Sequence, residues 1–307
     1  MIKLDSPAAW HDAGRFAAQP PVGGADARLG CKVFSGLEAL ASLFSSKIFE
    51  REAQMLSALL IFLVIFFFAY WAVKRGARFT LRPIAGYDAL KGLFARSAEA
   101  GLPVHLSLGT AGVSDRFAAD TAAALNVLEY LSERGAVSAA PPIVTLAHPT
   151  ALPVAQDVMR RVYRQLGYPD EFDGTRARLL ASDPFNFSTP RTDTFAYAVA
   201  AMRLLTQEKL AANVMVGHFG EGTFLLMSEP GAQRGMIQIG GTSAPEVLPF
   251  VHATMTHPLI GEEIYAGGAY LSCKPAHIGS LFAQDAMRWL LVAGMVSAVL
   301  LRTLGLF

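Results

Sequence analysis

The sequence predicts an α/β fold: a Rossmann-like or flavodoxin-like parallel sheet of about five strands, anchored by one N-terminal and one C-terminal transmembrane helix. Three observations predict it. Between residues 79 and 287, short apolar runs bounded by Gly, Pro or Ser alternate with stretches of helical period. Two long apolar segments flank that region. Only 17% of the 307 residues are charged and 52% are hydrophobic, with a mean hydropathy of +0.35, whereas a soluble domain carries roughly 25% charged residues.

The charge balance and the cysteines narrow the function classes. With 26 basic and 25 acidic side chains the chain carries +1, which excludes a protein built to coat nucleic acid. Cys31 and Cys273 lie far apart without CxxC spacing, which argues against a disulfide framework and a thiolate zinc site.

Residues 1–54 read as an N-terminal extension. Residues 1–30 are rich in Ala, Gly and Pro without a period, so poor order is expected there. Val33, Leu37, Leu40, Phe44 and Ile48 share a helical face, which suits an interfacial helix or a contact between subunits over 33–48. Met55–Val73 then runs nineteen residues without a charge, enough to cover a hydrocarbon core of about 30 Å. Tyr70 and Trp71 sit at its end, where amphipathic rings favour the interface. Lys74, Arg75, Arg78 and Arg82 follow, against Lys47 and Arg51 upstream, a bias that places the following residues in the cytoplasm.

The predicted strands are Val104–Leu108, Ile143–Ala147, Ala177–Ala181, Asn213–Gly217 and Met236–Gly240, each short and apolar on both faces, as buried parallel strands are. Helices are predicted between them. One covers about 86–100, a second is marked by Leu125, Leu128 and Leu131, a third by Ala151, Ala155, Val158, Val162 and Leu166, and a fourth by Phe195, Val199, Met202 and Leu205. Residues 244–287 are expected to be helical and to lead into a second span, Trp289–Phe307, which Arg302 interrupts close to its far end. Residues 79–287 would then face the cytoplasm, with both termini outside.

In an open parallel sheet, ligands bind beyond the carboxyl ends of the strands. Three of those ends are glycine-rich: Gly109, Thr110 and Gly112 with Ser114 and Asp115; His218, Gly220, Glu221, Gly222 and Thr223; and Gly241, Thr242 and Ser243, with Glu246 placed to complete a capping box. Glycine allows backbone N–H groups to approach an anion, but tight strand-to-helix turns require glycine with or without a ligand. Neither a GxGxxG after the first strand nor a GxxxxGK[ST] is present. Asp183, Asn186, Ser188 and Thr189 form a polar loop that suits the same pocket or ordinary turn chemistry.

Of the histidines His105, His148, His218, His252, His257 and His277, the one at the ligand edge is His218. His252 and His257 are five apart, so a helix would not put both on one face, and there is no HExxH or GxSxG. Glu262 and Glu263 are adjacent and would point about 100° apart on a helix, so the run from His257 to Leu271 reads as a small-residue packing surface ahead of an acid/base pair.

PVHLSLGTAG at 103–112, NVMVGHFGEG at 213–222, QIGGT at 238–242 and HPLIGEEIYAGGAYL at 257–271 together resemble a bacterial family known only as a domain of unknown function in membrane-associated proteins of Chloroflexi-like bacteria. The resemblance covers about 80–300 and both membrane segments, and leaves out the first fifty or so residues. It implies the α/β domain and membrane attachment, here at a bacterial inner membrane, and supplies no activity, cofactor or catalytic residue.

Two function classes remain. One is a structural, assembly or partner-holding component, homo-oligomeric or bound to other membrane proteins, with the lipid bilayer as its other partner. The other is a binder of, or enzyme on, a nucleotide or phosphorylated small molecule, in which Thr110, His218, Thr223, Thr242 and Ser243 would converge on one pocket.

Overall fold

A computed structural model describes residues 50–77, 81–180 and 195–303. The expected disorder of residues 1–30, the helix over 33–48 and the polar loop at Asp183–Thr189 lie outside them. The chain divides into two units, Met1–Leu60 and Ile61–Phe307. Of the first, only the opening of helix α1 (Glu50–Lys74) is described.

The second unit holds the sheet. Its elements run α2 (Ala85–Ala100), β1 (Val104–Gly109), α3 (Ala118–Val137), β2 (Ile143–Leu146), α4 (Ala151–Leu166), β3 (Ala177–Leu179), α5 (Phe195–Gln207), β4 (Ala212–His218), α6 (Glu221–Gln233), β5 (Ile237–Thr242), α7 (Leu248–Thr254), β6 (His257–Ile260), α8 (Gly267–Leu271) and α9 (Pro275–Thr303). The strands are all parallel, in the order β3-β2-β1-β4-β5-β6. This is the doubly wound order with its reversal between β1 and β4.

The pleat sorts the side chains into two cores. Val104, Leu106 and Leu108 of β1 and Ala212, Val214 and Val216 of β4 join the larger core with Leu90 of α2, Leu128 of α3 and Ala155 of α4. Met215, one position out of phase, joins Tyr197 of α5, Phe224 and Met227 of α6 and Val251 of α7. Helices therefore cover both faces, which is why the central strands read as continuous apolar runs.

The second face of the sheet also carries a buried polar row. His105 Nδ1 lies 2.8 Å from Asn213 Oδ1 and Nε2 lies 2.9 Å from Thr145 Oγ1. Asn213 Nδ2 donates to Gln238 Oε1 at 3.1 Å and to the Met227 carbonyl at 3.3 Å, and Gln238 Nε2 donates to the Thr254 carbonyl at 3.2 Å. With its amide hydrogens spent, Asn213 offers only an acceptor, so His105 Nδ1 carries the ring hydrogen and Nε2 accepts from Thr145. Thr145 then accepts from Tyr197 at 3.1 Å, and Tyr197 from Ser107 at 2.7 Å. Every donor in this row points the same way, from Ser107 to Thr254.

The structure corrects the expected strand count and ends. The described residues hold six strands, because His257–Ile260 pairs with β5 where helix had been expected across 244–287. That strand is four residues long, contains Pro258 and sits at the sheet edge, where proline is tolerated. β5 extends through Gly240, Gly241 and Thr242, so these are strand residues rather than a loop. β4 likewise takes in His218, and β3 stops at Leu179.

Among the described residues, one helix, over Met55–Lys74, is long and apolar enough to cross a membrane. α9 is a single helix from Pro275 to Thr303, so the expected boundary near residue 288 falls inside an unbroken element. From Trp289 to Leu300 every side chain is exposed, Trp289 by 75%. Nearer its start α9 meets α1: a Cβ on Gly279 would lie 3.1 Å from both Cα and N of Tyr70, and Ala69 and Ala283 are buried.

Candidate ligand site at the sheet reversal

The reversal in strand order opens the carboxyl ends of β1 and β4 beside each other, and their last residues, Gly109 and His218, are register partners. Gly109 has φ +84°, and a Cβ there would sit 2.4 Å from the His218 carbonyl oxygen, so glycine is required both for the turn and for the approach. Thr110 donates to that carbonyl twice, from its amide at 2.9 Å and from its hydroxyl at 3.1 Å. Thr121 Oγ1 donates to the carbonyls of Ala111 and Gly112, closing the turn onto α3.

The hub of the site is Asp120, in the first turn of α3 and 1% exposed. Its Oδ2 accepts from Ser243 Oγ at 2.6 Å and faces His218 Nδ1 at 3.2 Å, while Oδ1 accepts from the Tyr265 hydroxyl. Burial by itself would raise the Asp120 pKa, but hydrogen bonds from His218, Ser243 and Tyr265 outweigh it and hold the carboxyl below its ordinary value. Burial and the bond to Asp120 push the Tyr265 hydroxyl up. The carboxylate fixes the His218 hydrogen on Nδ1, which leaves Nε2 a bare lone pair in the neutral ring. That Nε2 is buried without a hydrogen-bond partner, and so is Thr223 Oγ1 in the first turn of α6. Each such orphan costs about 1–3 kcal/mol. The Phe117 ring stacks on the imidazole with centroids 3.5 Å apart, and the Arg116 guanidinium lies over Phe117.

The expected residues come together in part. Thr110, His218 and Ser243 meet at the reversal, the last two through Asp120. Thr242 turns inward to accept from the Ala244 amide at 3.3 Å. Ser243 is spent on Asp120, and the helix that follows begins at Leu248, so the capping box with Glu246 does not form. Gly220 is the N-cap of α6, without a capping side chain.

Neighbouring atoms occupy the space at the remaining glycines. A Cβ on Gly112 would meet His148 and Thr150, one on Gly222 would meet Phe195, and one on Gly241 would lie 1.7 Å from the Leu259 carbonyl oxygen. Gly112 also donates to Asp115 at 2.6 Å. Cavities of about 320 and 400 Å³ open elsewhere, one lined by Arg82, Glu262, Glu263 and Arg288, the other by Asp88, Arg96 and His257. Glu262 and Glu263 go to different partners, Arg288 and Arg82. Among the described residues no three His, Cys, Asp or Glu side chains are grouped to hold a metal.

Residues 43–307 match the model of a family described as "Domain of unknown function (DUF6754)". The chain belongs to the DUF6754 family. The match takes in the apolar helix α1 as well as the sheet, so both are parts of one DUF6754 unit. No curated protein and no solved structure matches the chain. Asp120, Tyr265 and Phe117 complete this candidate site and escaped the sequence reading. Asp120 carried one faint signal, a carboxylate in the first turn of the helix after the first strand.

Proposed function

We propose that this protein is a membrane-anchored α/β module with a structural, assembly or partner-holding role, self-associating as a homo-oligomer at a bacterial inner membrane. α1 and the apolar end of α9 cross the bilayer, the sheet lies on the cytoplasmic side and the residues before α1 lie outside. The observation that carries this reading is the exposed apolar surface of both long helices, with Leu59, Leu63, Phe67 and Phe68 on one and, running right round the other, Trp289, Leu291, Met295 and Val299. A partner protein covers one face of a helix, whereas hydrocarbon covers all of them. As a helix, Trp289–Phe307 would rise about 28 Å, close to the core thickness of about 30 Å. The filled glycine turns support a scaffold role, because backbone and side chains already occupy the approach a ligand would use. Native mass spectrometry of the protein in mild detergent tests the reading. A discrete homo-oligomer or defined complex without a small molecule is expected, and a monomer carrying a nucleotide-sized adduct would overturn it.

One observation favours a second reading, a binder of or enzyme on a phosphorylated small molecule. The buried polar atoms His218 Nε2 and Thr223 Oγ1 lack partners on the same strand-to-helix connection.

A further inference from the structure

We infer that His218 Nε2, Thr223 Oγ1 and the first turn of α6 form a binding site for a single phosphate group, free or on a phosphomonoester. The inference rests on the second reading above and names its ligand chemistry.

The demands of the atoms select the ligand. Asp120 accepts from His218 Nδ1, so Nε2 is the ring atom left to share a hydrogen with whatever meets it. Thr223 Oγ1 is also unsatisfied and can donate to an oxygen. α6 starts at Gly220 without a capping side chain, so its opening N–H groups favour negative charge. Glu221, in that first turn, is exposed to solvent. The missing group must therefore carry negative oxygens and be able to share a hydrogen with Nε2. A carboxylate or a sulfate is fully deprotonated at neutral pH and has none to give. A phosphate group, with its second pKa of about 6, takes up a hydrogen far more readily than either and can share it with Nε2. The location agrees, since His218 ends β4 at the reversal of the sheet order, where doubly wound folds hold ligands. Phe117, packed on the imidazole and half-buried itself, is the side chain that would swing aside to admit the group.

The test is calorimetric titration of the full chain in detergent with inorganic phosphate, ribose 5-phosphate and sulfate at pH 7. It is repeated on Thr223→Val and His218→Gln, with melting temperatures as a folding control. Expected are saturable binding of phosphate or ribose 5-phosphate, sulfate at least tenfold weaker, about tenfold loss in Thr223→Val and complete loss in His218→Gln. Preference between the two phosphates tells a free ion from a phosphomonoester. Thr223→Val removes a hydroxyl that has no protein partner, so it folds and keeps the test decisive if His218→Gln does not. Phosphate binding that both variants leave unchanged would overturn the assignment while sparing the second reading. No saturable binding of either phosphate to the folded wild type would overturn both.

Discussion

His105 is the residue whose environment makes the sharpest claim about pH. It is fully buried between Asn213 and Thr145, and burial lowers its pKa from 6.5 to about 4, with Asn213 opposing and Arg178 adding to the shift. An unfolded chain binds the proton near pH 6.5 and the folded one only near 4, so the unfolded state gains as acid is added. Stability from this residue is complete above pH 6.5 and falls as the pH drops towards 4. At about 1.4 kcal/mol per unit of pH, the loss between pH 6.5 and 5 is about 2 kcal/mol. Thermal melts of the detergent-solubilised protein across that range check the size. A histidine NMR titration checks the cause, with the His105 ring signals expected to stay fixed down to pH 5. In the sequence His105 looked like any strand histidine, because its partners lie 40 and 108 residues away. Asp120 was illegible for the same reason: its partners Ser243 and Tyr265 follow it by 123 and 145 residues.

At the scale of elements, legibility followed burial. The runs that became β1, β2 and β4 are buried at every position and were read within one or two residues of their ends. β6 is an edge strand of four residues with only Leu259 buried, so it carried no run to read. Its attachment depends on Gly241, whose missing Cβ lets the Leu259 carbonyl close in. Gly241→Ala is expected to detach β6 and lower stability by about 3 kcal/mol, in the range of overpacked cores. Protection of the Leu259 amide from hydrogen exchange reads this directly. It should vanish in the variant while the β1 amides remain slow.

For the whole molecule, the proposed topology gives the two cysteines opposite fates. Cys273 is exposed on the sheet-bearing unit, and Cys31 precedes the first span in the sequence. A membrane-impermeant maleimide applied to intact cells should label Cys31 and leave Cys273 untouched until the inner membrane is opened. The reverse pattern would invert the orientation derived from Lys74, Arg75, Arg78 and Arg82. The three-layer α/β architecture was legible because alternating apolar runs and helical stripes survive without any knowledge of partners. Strand order was not, because five or six buried parallel strands read alike whichever neighbour they choose.

α9 joins the sheet-bearing unit to its apolar end without a linker. Its 29 residues rise as one rod of about 44 Å, gripped near the start where Gly279 lies against Tyr70. A module on a flexible tether would turn freely whatever its anchor did. Here a rotation of the apolar end about its own axis is a rotation of the Pro275 end as well. Subunits that fix the azimuth of α9 by packing in the bilayer would thereby choose which edge of each sheet faces its neighbour.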